Sequence, residues 1–112
     1  ANIHGRSVAF KCEYMNPSGS FKDRGSAVLM SRLLARGISE VVEDSSGNAG
    51  ASLAAYAARA GIRAEIFIPE AASGPKCSQI MAYGAQARRI AGARAKAAAA
   101  VQIAAKNGAV RL

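Results

Sequence analysis

Two short stretches hold the residues whose types and spacing could do chemistry. The first is Asn16-Pro-Ser-Gly-Ser-Phe-Lys-Asp-Arg-Gly25. It places Lys22 just inside the start of a helix, behind a turn of Pro, Gly and Ser. The helix dipole opposes an ammonium ion at that end and favours the neutral, nucleophilic amine. Such an amine can form an imine with an aldehyde. Ser20 and Asp23 are spaced as a capping box, and Asp23 suits the positive end of the dipole. The second stretch is Ser45-Ser46-Gly47-Asn48-Ala49-Gly50. It offers backbone N–H groups at a helix start, two hydroxyls and one amide, a set suited to a carboxylate or phosphate. It is neither a GxGxxG fingerprint nor a GxxxxGK[ST] loop. Alone, each stretch also has a plain structural reading: a capped helix with a tolerated lysine, and an ordinary N-cap loop.

The elements that must position these loops follow from the punctuation of the chain. Gly37, Gly61, Gly84 and Gly108 recur at near-equal spacing, each after a helix-like segment and before apolar or β-branched residues. Glycine is the usual residue past a helix C-terminus. The pattern predicts strands over Val8–Tyr14, Glu40–Glu43, Ala64–Pro69, Gln86–Ile90 and Ala109–Leu112. It predicts helices over Ser20–Arg36, Asn48–Ala60, Pro75–Tyr83 and Ala93–Asn107. In the first helix Val28, Leu29, Leu33 and Leu34 form the expected apolar face, with Arg32 and Arg36 outside. Regular strand–helix alternation implies an α/β fold: a three-layer α/β/α open parallel sheet of about four strands with right-handed βαβ crossovers. In such a sheet the loops leaving the strand ends share one edge, where ligands bind. An activated amine would then face an anion-binding loop. That pairing suits an amino acid held on a pyridoxal cofactor.

Composition limits the alternatives. The 112 residues suffice for one domain over 1–112, and the core must be aliphatic because aromatic residues make up 5% of the chain and Trp is absent. No apolar run is long enough to span a membrane. Cys12 and Cys77 lie far apart without a CxxC or His partner, and read as reduced thiols of a cytoplasmic protein. The net charge is +8. Residues 71–112 carry seven Lys or Arg and no acid, whereas residues 1–70 are nearly balanced. This asymmetry could mark a basic module that binds an anion or nucleic acid. No aromatic–basic pattern accompanies it, so an acidic partner, or an acidic part of a longer chain, is the simpler reading.

The sequences NPSGSFKDRG, SSGNAGASLAAYAARAGI and IFIPEAASGPKCSQIMAYGA together resemble the threonine synthases, within the tryptophan-synthase-β-like family of pyridoxal-phosphate enzymes (fold type II). The similarity runs from about Val8 to Gly92. Cysteine synthases tend to have a valine before the lysine, and threonine dehydratases a histidine after the asparagine. Phe21, Asp23, Ala49 and Gly50 favour the threonine-synthase branch, with cysteate synthase and diaminopropionate lyase as near relatives.

The resemblance implies pyridoxal 5′-phosphate as cofactor, with Lys22 forming its Schiff base and then moving protons as general base. Asn48 would hydrogen-bond the 3′-oxygen of the pyridine ring. Ser45, Ser46 and the backbone around Asn48 and Ala49 would hold the α-carboxylate of an amino-acid phosphate, O-phospho-L-homoserine. The reaction would add water and release phosphate to give L-threonine. Lys76 is a candidate phosphate contact. His4, Arg88, Arg89, Arg94 and Lys96 read as solvated or interface residues. Family members are several times longer. The resemblance therefore implies a fragment, inactive alone, that corresponds to the smaller mobile domain. The large domain, with the cofactor-phosphate loop and the ring-nitrogen contact, would be missing. Faces left uncovered would favour a homo-oligomer.

Overall fold

The computed structural model describes residues 1–106 and 109–111. Strands β1 (Asn2–Ile3) and β2 (Arg6–Ser7) form a small antiparallel hairpin. Its turn holds His4, which is exposed and has a φ of 49°. Residues 8–12 carry no strand, and Glu13–Met15 makes a single 3₁₀ turn. The strand expected over Val8–Tyr14 is therefore not formed. A strand needs a neighbour for its backbone groups; Val8 exchanges hydrogen bonds with Ala1 at the foot of the hairpin, but residues 9–12 pair with no strand among the described residues, and Phe10 stays 63% exposed.

Helix α1 (Lys22–Ala35) follows, then β3 (Glu40–Glu43), α2 (Asn48–Ala60), β4 (Arg63–Pro69), α3 (Pro75–Ala82), β5 (Gln86–Ile90), α4 (Arg94–Lys106) and β6 (Val110–Arg111). These match the expected elements within two residues at each end. The expected ends at Asn107 and Leu112, and the glycine stop at Gly108, lie outside the described residues. Gly37, Gly61 and Gly84 all take positive φ. At Gly61 the left-handed residue closes α2, and the amide of Ile62 returns to the Ala57 carbonyl at 2.9 Å.

The four longer-range strands form one parallel sheet in the order β5-β4-β3-β6. The first two crossovers step one way across the sheet, and the third returns past β4 and β3. Crossovers of one hand must then place α4 on the opposite face from α2 and α3. The packing agrees. Val41, Ala64, Ile66 and Ile68 point into one core with residues of α1, α2 and α3. Val42 and Phe67, on the alternate positions, pack with Ala97 and Val101 of α4. The three-layer α/β/α architecture is as the sequence implies. The reversal of strand order between β3 and β6 makes a switch point, and the β3–α2 loop leaves the carboxyl edge there.

The face α1 turns to the core is only half the expected one: Leu33 is in the core and Leu29 packs against it. Asp23, Met30 and Leu33 are buried, whereas Val28 and Leu34 are 61% and 56% exposed. The contact with α2 selects this face. The Ser52 hydroxyl donates to the Ser26 hydroxyl at 2.8 Å, and polar Asp23 and Ser26 share that stripe with Met30 and Leu33. Hydrophobicity alone misplaces the stripe because two of its positions are polar.

Candidate functional site

Lys22 is the first residue of α1. It is exposed, and its ammonium lies 5.4 Å from the centre of the Phe21 ring. The cation–π contact opposes the unfavourable dipole with an energy of similar size. Asn48 is the first residue of α2 and is also exposed. The two are brought together by their helices. Ser26 lies four residues beyond Lys22, and Ser52 four beyond Asn48. Residues four apart share a helix face one turn up or down. The Ser26–Ser52 hydrogen bond therefore sets the first turns of α1 and α2 side by side. The other ends also coincide: the Arg63 amide after α2 donates to the Ser39 carbonyl after α1 at 2.9 Å. Both helices thus start at the carboxyl edge of the sheet.

The β3–α2 loop is shaped by backbone contacts. The Gly47 amide donates to Ser45 Oγ at 3.3 Å, and the Ala51 amide donates to the Gly47 carbonyl at 3.0 Å. The N–H groups of Asn48, Ala49 and Gly50 are left without intrahelical acceptors, as at any helix start. Ser45, Ser46 and Ala49 are all half-buried around them. Gly50 is required by a close approach. An added Cβ would fall within the contact radius of the Ser45 carbonyl oxygen and 3.1 Å from Ile80 Cδ1. Cys77, buried in α3, lies under the loop with its Sγ 3.9 Å from the Ser46 carbonyl oxygen. Both cysteines are free.

The capping box of Ser20 and Asp23 does not form. Asp23, 2% exposed, turns back to the Asn16–Gly19 turn. It accepts from the Ser18 amide at 2.7 Å and makes a short hydrogen bond with the Ser18 hydroxyl. Burial raises its carboxyl, but the Ser18 hydroxyl, Ser52 and the Ser18 amide outweigh that and hold the pKa below the ordinary value, with Lys76 adding to the effect. Ser20 is buried, and its hydroxyl finds no partner among the described residues. The α1 N-terminus is thus closed by a loop-to-helix lock rather than by a side-chain cap.

Lys76 does not stand free for a phosphate. Its Nζ donates to the Ser18 carbonyl at 3.0 Å and to Gln79 Oε1 at 2.9 Å. Gln79 Nε2 donates to the same carbonyl at 3.1 Å and to the Tyr83 hydroxyl at 3.2 Å, and that hydroxyl donates to the Pro17 carbonyl at 3.3 Å. Gln79 and Tyr83 are thus additional residues of the site's support. Their spacing from Lys76 continues one face of α3, the only local sign of them.

Glu43, half-buried at the end of β3, also escapes sequence reasoning. Burial pushes its carboxyl up to about 6; Asp44 reinforces the rise, while Lys22 and Arg94 oppose it. Arg94 pairs with Asp44 at 4.0 Å. Arg88 is not a loose surface charge: it pairs with Glu65 at 2.6 Å and lies over Phe67. Arg89 donates to the carbonyls of Glu70 and Ala72. Among the described residues no group of His, Cys, Asp and Glu could hold a metal ion. No described helix is long and apolar enough to cross a membrane.

This geometry has close counterparts. A threonine synthase of Mycobacterium leprae is 46% identical over 90 residues, covering 79% of this chain and 25% of that protein. One from Synechocystis is 44% identical over 87 residues, covering 76% and 22%. The chain spans about a quarter of the length of these curated relatives. Among solved structures, maize serine racemase superposes with a TM-score of 0.77 at 33% identity, covering 91% of this chain and 32% of that one. The processed threonine deaminase isoform 2 of Solanum lycopersicum superposes with a TM-score of 0.81 at 25% identity, covering 91% and 29%. The family model of pyridoxal-phosphate dependent enzymes matches residues 1–112, and the chain belongs to that family.

Proposed function

We propose that this chain carries the cofactor lysine and the substrate-carboxylate loop of a threonine-synthase-like lyase, which converts O-phospho-L-homoserine and water to L-threonine and phosphate. The observation that carries the reading is the Ser26–Ser52 hydrogen bond, which sets the helix starts of Lys22 and Asn48 side by side. The 44–46% identity to threonine synthases supports the choice of reaction.

The residues present fit pyridoxal phosphate and an amino acid. Lys22 offers an exposed primary amine for the cofactor's aldehyde. Asn48 offers an amide for the ring's 3′-oxygen. Ser45, Ser46 and the N–H groups at Asn48 and Ala49 suit the α-carboxylate, in a loop shaped by the contact that demands glycine at position 50. Bound there, the cofactor supplies an electron sink for charge developing at Cα. Released once the substrate's amine has taken its place, Lys22 Nζ would take the Cα proton as general base and return protons later. The Glu43 carboxyl lies within electrostatic reach of Lys22.

The relatives' greater length supports a further reading: contacts to the cofactor phosphate and ring nitrogen come from a larger domain of a longer protein, and residues 1–112 alone do not turn over. The free state of exposed Cys12 supports a cytoplasmic setting. The test is to incubate the intact protein, loaded with pyridoxal phosphate, with O-phospho-L-homoserine. Phosphate and threonine should appear in equal amounts. Racemised serine, or a 2-oxo acid and ammonia from threonine, with no phosphate release, would assign a different reaction.

A further inference from the structure

The turn before Lys22 is held by a helix on the other side of α2. Every polar group of Ser18 is bound by a side chain. Its amide and hydroxyl go to Asp23, and its carbonyl accepts from both Lys76 and Gln79. The preceding carbonyl, of Pro17, accepts from Tyr83. The Gly19 amide closes the turn on the Asn16 carbonyl at 2.7 Å, with Gly19 at a φ of 79°. Lys22 therefore lies between two anchored residues, Ser18 and Asp23, both nearly fully buried, while its own side chain remains exposed.

We propose that Lys76, Gln79 and Tyr83 are positioning residues for Lys22, and that α3 fixes where the amine stands through the Pro17–Ser18 carbonyls. Three features make this more than local packing. Lys76 and Gln79 occupy one face of α3 at i and i+3, and Tyr83, the residue that caps the helix, continues it at i+7. Their donors converge on two adjacent carbonyls 58 to 66 residues away in sequence. The same helix also supports the other half of the site, because Cys77 and Ile80 pack against the Ser46 carbonyl and Gly50. One rigid element thus sets the amine and the carboxylate loop relative to each other. Alignment of reacting groups is what such support contributes to catalysis. The cation of Lys76 also lies within range of the Asp23 carboxylate and stabilises its ionised form, which strengthens the lock onto Ser18. The inference rests on the reading of Lys22 as the cofactor's amine.

The test compares the intact protein with Lys76→Met, Gln79→Met, Tyr83→Phe and the conservative Lys76→Arg. Two quantities are measured under native conditions: amide exchange, and the affinity with which pyridoxal phosphate becomes covalently fixed at Lys22, read from its visible absorbance. Loss of the Lys76 or Gln79 donor should speed exchange at Ser18 and Gly19 by about fivefold, with Ile66 and Ile68 in β4 unchanged. Attachment at Lys22 should weaken by a similar factor. Tyr83→Phe, which keeps the ring, should show a smaller change in the same direction, and Lys76→Arg should restore both readouts. Unchanged exchange at Ser18 and Gly19 in all variants would overturn the proposal. So would acceleration spread equally to β4, which would mark global destabilisation. If the unaltered protein fails to fix pyridoxal phosphate at Lys22, the functional reading fails, and the exchange pattern alone decides whether α3 holds the turn.

Discussion

Replacing Gly50 by alanine sets two effects of opposite sign against each other. In an open helix position alanine is favoured over glycine by about 1 kcal/mol, because it loses less backbone entropy. At position 50 the new Cβ would overlap the Ser45 carbonyl oxygen and lie 3.0 Å from the carbonyl carbon and 3.1 Å from Ile80 Cδ1. The Ile80 side chain can turn, but the Ser45 carbonyl is backbone, in a residue that follows β3 closely and whose hydroxyl accepts from the Gly47 amide. Relief requires the loop to lift away from α2. Overpacking of this kind costs about 1–3 kcal/mol, which exceeds the propensity gain. Gly50→Ala should therefore lower stability by roughly that amount and weaken binding at the Ser45–Ala49 loop. Gly25 supplies the control: it lies in α1 with nothing within 4 Å of its Cβ position. Gly25→Ala should raise stability by up to about 1 kcal/mol. Denaturant midpoints of the two variants measure both signs. A Gly50→Ala protein as stable as Gly25→Ala would refute the close-approach argument.

Two further predictions concern titrating groups. Glu43 has a folded-state pKa of about 6 against an ordinary 4.5, so the fold binds its proton more tightly than the unfolded chain does. Its contribution is greatest below pH 4.5 and is lost as pH rises through about 6, a difference of at most about 2 kcal/mol. Glu43→Gln should flatten this slope in denaturation curves taken across the window; a slope that persists in the variant would assign it to another group. Asp23 is the reverse case. Its pKa is held below the ordinary value, so its contribution is present at neutral pH and lost as pH falls through that lowered value. Asp23→Asn should cost about 1–3 kcal/mol at neutral pH, since it weakens buried hydrogen bonds to Ser18, and a neutral result would show that the lock is not structural.

The parts of the fold that sequence reasoning reached are those with local signals. The glycine stops, the β-branched runs at Glu40–Glu43 and Ala64–Pro69, and the small-residue loops before Lys22 and Asn48 each carry their own chemistry. The parts it missed depend on partners distant in sequence. Val8–Tyr14 alternates as a strand does, yet alternation does not supply a neighbouring strand. Ser20 and Asp23 have capping-box spacing, but Ser18 competes for Asp23 with both its amide and its hydroxyl. Lys76 reads as a free cation until the Ser18 carbonyl is placed beside it. The raised pKa of Glu43 requires its burial, which a four-residue strand does not reveal.

The central claim is that Lys22, beside Asn48 at the carboxyl edge, is the amine that holds pyridoxal phosphate. Borohydride reduction of the intact protein loaded with the cofactor, followed by peptide mapping, tests it directly. The account predicts a single pyridoxyl label, on Lys22, and loss of the visible absorbance band in Lys22→Ala. A label on another lysine, or one shared among Lys11, Lys76 and Lys96 with Lys22 unmarked, would contradict it.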